Sequence, residues 1–258
     1  MRKLSVTNIK DSMVRFNVHL SYMYSKMLKG FLFITIILVP IHSFLVFTVL
    51  PQQAFRPTPV STLSSTLWLT SIIFTFIIMY LAYSFASELS GGGAQLFLSH
   101  PLGKLEYVSA WFFTGLYVTV FLFLLSIILP VIVLDPTLLS KLSLRELYLL
   151  SLEMIVSGAI IFNVALMMKK SGLTFLCGVF FYYILPFVFM LSLAVFRKSS
   201  EFVIWMFIVL YPYKSMFIWG YARTFPYQII QASFLSLFFA VLLHILAFVY
   251  SRWRLEVG

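Results

Sequence analysis

The sequence predicts an all-α, polytopic membrane protein. Six transmembrane helices are expected, with an N-terminal interfacial helix, a short cytoplasmic helix between the second and third spans, and a re-entrant hairpin before the last span. Three observations predict this class. Hydrophobic residues make up 62% of the chain and charged residues 10%, with a mean hydropathy of +1.02, whereas soluble domains carry about a quarter charged residues. Apolar runs of about twenty residues recur, each long enough at ~1.5 Å per residue to cross the hydrocarbon layer. Many of the basic residues stand at the ends of those runs, as membrane topology requires.

Residues 1–30 form the N-terminal unit. Arg2, Lys3, Lys10, Arg15, Lys26 and Lys29 stand there against a single acid, Asp11. Met13, Phe16, Leu20, Met23, Tyr24 and Met27 recur at helical spacing, with Arg15, His19 and Lys26 between them. This pattern predicts an amphipathic helix lying on the cytoplasmic leaflet, held by its apolar side and by anionic lipid headgroups. A secretory signal explains it less well, since no small-residue cleavage site follows the next apolar run.

The remainder, 31–258, reads as one transmembrane domain. A first span covers 31–50, with Pro40 as a kink, and Pro51, Pro57 and Pro59 mark an outside loop. A second span over 63–87 brings the chain back inside. A third covers 108–134 and leaves at Asp135–Pro136, a fourth covers 147–168 and is closed by Lys169–Lys170, and a fifth covers 173–196. In 202–222, Pro212 and Lys214 interrupt an apolar stretch, so two short pieces meeting near Tyr211 are expected to enter and leave on one side. The last span, 227–250, ends in Arg252, Trp253 and Arg254. In this layout the larger share of the 18 basic residues falls inside, which predicts cytoplasmic N- and C-termini. A seventh crossing through 202–222 would put the C-terminus outside.

Between the second and third spans lies the one polar, glycine-rich stretch that is not a span, 88–107. Gly91, Gly92 and Gly93 release the preceding helix. Ala94 to Ser99 suffices for about two helical turns before Pro101 stops it. Leu96, Phe97 and Leu98 then form an apolar knob ringed by Gln95, Ser99 and His100. Such a knob is a handle through which a soluble partner can push on the spans at either end.

Motifs for chemistry are absent. No G-x-x-x-x-G-K-[ST] loop occurs, so the chain does not hydrolyse ATP by itself. H-E-x-x-H, G-x-S-x-G and magnesium-binding acidic motifs are also missing, and His19, His42, His100 and His244 are scattered. No catalytic, cofactor or metal residue is therefore assigned. The net charge of +10 is explained by headgroups, and with no basic stripe or zinc spacing, nucleic acid is not an expected partner. Cys177 sits alone in an apolar run.

Three polar residues inside spans are candidate pathway groups: Glu153, Asn163 and His244. An ionisable group within a membrane is functional by default because lipid exposure is costly. The bland alternatives are that Glu153 reaches headgroups or pairs with Arg145, and that His244 packs as a neutral, hydrogen-bonded residue between helices.

The run Glu88, Gly92, Leu96-Phe97-Leu98-Ser99, Pro101, Lys104, Glu106-Tyr107 resembles the cytoplasmic signature of type-2 ABC permeases, the membrane subunits of ATP-binding-cassette exporters. The six-span plan with a broken hairpin before the last span resembles that family over nearly the whole chain. Gly93, Gln95 and Trp111 stand where the family usually has Thr, an acid and a basic residue. The resemblance implies that 88–107 is a coupling loop seated in a cleft of a separate nucleotide-binding ATPase subunit. Its interface would comprise Glu88, Gly92, Gln95, Leu96, Phe97, Leu98, Ser99, Pro101, Lys104, Glu106 and Tyr107. It further implies that ATP and magnesium are used by that partner, that a second permease completes the transporter as a homo- or heterodimer, and that the complex works in the cell membrane. A secondary, ion-coupled transporter is the alternative, and a lipid-modifying membrane enzyme a weaker one, since no clustered polar site is visible. The 29 Phe and 14 Tyr residues suit an apolar or amphipathic cargo but equally suit lipid-facing helices.

Overall fold

The computed structural model of the chain describes residues 6–23, 25, 59–91, 103–134, 136, 144–195, 201–215 and 226–253. All regular structure among them is helical. Helix α1 is Val6–Met23, α2 is Pro59–Ser90, and α3 covers 104–134 as Lys104–Phe112, a π-helical stretch Phe113–Val118, and Thr119–Leu134. Helix α4 is Leu144–Met168, and α5 covers 171–195 as Ser171–Val179, a π-helical stretch Phe180–Ile184, and Leu185–Val195. Helix α6 is Glu201–Leu210 and α7 is Pro226–Trp253. The expected first span, 31–50, lies outside the described residues.

Among the described residues, five helices are long and apolar enough to cross a membrane: α2, α3, α4, α5 and α7. The chain is thus an all-α, multi-pass membrane protein. Each helix begins at or before its expected span, because the apolar window marks only the part in hydrocarbon while backbone hydrogen bonding continues into the interface. Helix α6 has 10 residues, about 15 Å at ~1.5 Å per residue and too short to cross alone. The helix stops at Tyr211, and a separate turn follows over 212–215, so the interruption falls where Pro212 removes a backbone donor.

Helix α4 is the axis of the bundle. Of its most apolar window 78% is buried, against 22% for α5 and for α7, and it packs against α2, α5 and α7. Without a hydrophobic drive between helices in lipid, close approach comes from small residues at the crossings. A Cβ on Gly115 of α3 would lie 2.1 Å from Phe162 Cζ, and one on Gly158 of α4 would lie 2.3 Å from Leu116 Cδ2. A Cβ on Gly178 of α5 would lie 2.7 Å from Met79 Cγ of α2. Phe162 is itself fixed between Phe85 at 5.9 Å and Phe112 at 5.2 Å, and Phe85 also meets Trp111 at 5.1 Å.

Helices α4 and α5 form a tight hairpin through Lys169 and Lys170 alone. Lys169 takes φ 52, in the left-handed region, while its N–H still reaches Ala165 O at 3.0 Å. The next helix begins at Ser171 with Lys170 as its N-cap, and the Lys170 carbonyl accepts both the backbone N–H of Thr174 at 3.0 Å and its Oγ1 hydroxyl at 2.9 Å. The expected stop signal is therefore the turn itself.

Candidate functional site

The predicted loop has a built base. Helix α2 ends as expected at the first glycine: Ser90 is its last residue, and Gly91 N donates to Ser87 O at 2.8 Å. Gly92, Gln95, Leu96, Phe97, Leu98, Ser99 and Pro101 lie outside the described residues. The chain resumes at Gly103, which caps α3 in an extended conformation. Glu106, in the first turn of α3, folds back over that glycine, so that a Cβ there would fall 1.8 Å from Oε2. A carboxylate at this end also complements the helix dipole.

Glu88 and Tyr107 join the two ends. Tyr107 Oη donates to Glu88 Oε2 at 2.9 Å across 19 residues. Tyr107 is 1% exposed and its ring lies 6.1 Å from that of Phe85. Lys104, by contrast, is exposed.

Helix α1 clamps this base from outside. Tyr22 Oη donates to Glu88 Oε1 at 3.3 Å, Ser12 Oγ donates to Glu106 Oε1 at 2.8 Å, and Arg15 Nε stands 3.5 Å from the same oxygen. His19 is buried, with its ring edge-on to Tyr107 at 5.4 Å, and Phe16 meets Phe113 at 6.1 Å. Burial lowers the His19 pKa, and the nearby Glu106 carboxylate works against that by favouring the charged ring. The docked face of α1 thus combines Ser12, Arg15, Phe16, His19 and Tyr22, a stripe in which polar and charged residues do the gripping. Met13, Val14 and Val18 face outward. The sequence placed Met13 and Met23 on one apolar face, but Met23 is buried against the bundle while Met13 is 63% exposed.

A second polar cluster lies within the bundle. Glu153 on α4 is 2% exposed. Its Oε2 accepts the backbone N–H of Lys214 at 3.1 Å, and its Oε1 forms an ion pair with Lys214 Nζ. The Lys214 ammonium also lies 5.2 Å from the centre of the Tyr211 ring, and Tyr211 Oη donates to Phe181 O at 2.5 Å. Nearby, Tyr182 Oη donates to Met154 O at 3.2 Å. Glu153 is thus paired with Lys214 and not with Arg145 as the sequence alone allowed. The lysine in the apolar segment is neutralised by a carboxylate 61 residues earlier.

The other two pathway candidates are engaged in helix packing. Asn163 Nδ2 donates to Ala159 O at 2.8 Å and across to Leu243 O of α7 at 3.0 Å. His244 Nδ1 lies 2.7 Å from Ala240 O, so it carries the proton, and Nε2 meets Tyr117 Oη at 3.1 Å. Glu153, Asn163 and His244 are not brought together by these contacts. No group of three or more His, Cys, Asp or Glu able to hold a metal occurs among the described residues.

Compared with family models and with curated proteins, the sequence matches none. Sequence reasoning missed Ser12, Arg15, His19 and Tyr22 as partners of the loop base, and Lys214 as the partner of Glu153. Only the presence of Lys214 in an apolar stretch, calling for a buried counter-charge, signalled the second pairing.

Proposed function

We propose that this chain is the membrane-spanning permease subunit of an ABC exporter. The 88–107 loop docks a separate nucleotide-binding ATPase subunit, which alone uses ATP and magnesium, and a second permease, identical or related, completes the transporter. The single observation that supports this most is the braced base of the loop. Tyr107–Glu88 ties α2 to α3, and α1 holds both through Glu88 and Glu106. A push on the loop tip is then delivered to three helices at once, which a motor on the cytoplasmic side needs in order to shift inward-open and outward-open populations. A partner would meet the loop tip and exposed Lys104, while buried Tyr107 transmits the load from behind. In this reading both termini are cytoplasmic, and 202–222 is the re-entrant hairpin of a six-span subunit in the plasma membrane.

Co-purification of the native complex tests the proposal. A nucleotide-binding subunit should accompany the wild-type chain and be lost on Leu96→Asp or Phe97→Asp, with the variants still folded and membrane-inserted. Retention of the full complex in both variants would defeat it. The intramembrane Glu153–Lys214 pair favours one other reading, a secondary transporter driven by an ion gradient. Uptake into vesicles driven by a proton gradient without ATP would support that reading instead.

A further inference from the structure

A carboxylate and an aromatic face are the two elements with which proteins recognise an ammonium ion, and both converge on one point inside this bundle. Glu153 Oε1 and the Tyr211 ring receive the same Lys214 nitrogen. Resting on the transport reading above, we propose that Glu153 and Tyr211 form the recognition site for the cationic group of an amphipathic amine cargo, occupied in this conformation by the ammonium of Lys214 as a tethered stand-in.

Four features of the pair point to a site and not merely to a brace. A buried ion pair is weak support for stability, since well-packed apolar residues of like volume do as well or better. The two partners are also unequally enclosed. The Glu153 side chain is 3% exposed and that of Lys214 24%, so the carboxylate is enclosed while the lysine side chain is partly accessible. Finally, Lys214 lies just beyond the interruption at Tyr211, and broken helices within membranes are where charged ligands are received. The anchors differ as well. Glu153 Oε2 is held by the backbone N–H of Lys214, so Oε1 can exchange one ammonium for another while the backbone contact persists.

Charge balance sets the order of events. With Lys214 seated the site is neutral, and a second cation beside it would be repelled. Cargo therefore enters as the lysine swings out, and its apolar body contributes burial that the lysine stem does not. In the resting protein the tethered ammonium competes at high effective concentration, so wild-type affinity is reduced by the small fraction of open sites.

Phenethylammonium, a primary amine with an apolar body, is the probe, and 2-phenylethanol is its neutral control. Binding to the purified full-length protein in detergent is followed by saturation-transfer NMR and thermal shift. The wild type should bind the ammonium in preference to the alcohol, and Lys214→Met should bind it at least about tenfold more tightly, since the internal competitor is gone. The double variant E153Q/K214M, which buries no charge, should fold and bind neither. Should Lys214→Met prove unfolded, the comparison of wild type with the double variant decides alone. Equal binding by those two, or no preference for the ammonium in wild type or Lys214→Met, overturns the assignment. The measurement needs no ATPase subunit, so its failure would leave the co-purification result standing, and the converse holds as well.

Discussion

Tyr107 donates its phenolic proton to the Glu88 carboxylate at 2.9 Å, so a residue at the start of one span is bonded to a residue at the end of the span before it. The two ends of the intervening stretch are thereby tied together, and Tyr22 of α1 shares the other oxygen of the same carboxylate.

Tyr107→Phe tests that closure. The ring and its contacts with Phe85 and His19 survive, while the hydrogen bond to a charged acceptor is lost. Such bonds are worth about 1.5–3 kcal/mol, and Glu88 retains Tyr22, which favours the lower end. The expected outcome is a lower melting temperature of the purified protein with the same helical content by circular dichroism. An unchanged melting temperature would mean that the ends of the loop are held by packing alone.

Acid should loosen α1. The folded-state pKa of His19 lies below its ordinary value because burial opposes the charged ring, while Glu106 partly offsets this. The unfolded or undocked state then binds the proton more readily, so docking is fully stable above about pH 6.5 and weakens as pH falls below it toward the lower folded value. Tyr107 and Glu106 on α3 face His19, and on its own helix Arg15 and Tyr22 lie four residues before and three after it. Proteolysis of the N-terminal segment, followed from neutral to mildly acidic pH, should accelerate on acidification in the wild type. His19→Asn should flatten the profile. Glu106→Gln, by removing the offsetting charge, should steepen it.

Much of this architecture was legible because lipid imposes simple rules. Spans expected at 63–87, 147–168 and 227–250 are found within Pro59–Ser90, Leu144–Met168 and Pro226–Trp253, since uninterrupted apolar length is what hydrocarbon selects. The interruption at Tyr211 followed from Pro212 and Lys214 in the same way. The docking of α1 did not follow. An amphipathic helix at an interface is expected to hide its apolar side, yet Arg15, Ser12 and His19 face the bundle because Glu106 and Tyr107 offer them partners. Pairings between distant residues, such as Glu153 with Lys214, leave no periodic trace in one sequence, because they depend on which helices become neighbours.

Glycine substitutions should separate close approach from mere helix propensity. Gly115→Ala sets a methyl against Phe162, which Phe85 and Phe112 hold in place, so a loss of about 1–3 kcal/mol is expected from overpacking. Gly172→Ala meets nothing within 4 Å and should be neutral or gain up to about 1 kcal/mol from propensity. Thermal unfolding in one detergent ranks the two. Similar losses in both would indicate that the α3–α4 crossing is looser than its geometry.

The charge pair in the bundle gives the sharpest test of energetics. Glu153 receives both the ammonium and the backbone N–H of Lys214. Removing one partner strands the other in a medium where an unpaired charge is disfavoured, so Lys214→Met alone should lose about 3–5 kcal/mol. Glu153→Gln alone strands a lysine that is less enclosed, so its loss should be smaller. Together the two substitutions leave no buried charge, and the amide still accepts from the Lys214 position's N–H, so the double variant should approach wild-type stability. A thermodynamic cycle on these four proteins would therefore show strong non-additivity. If the single losses simply add, the ammonium and carboxylate are solvated separately in the membrane protein, and the pair does not hold the interrupted segment against α4.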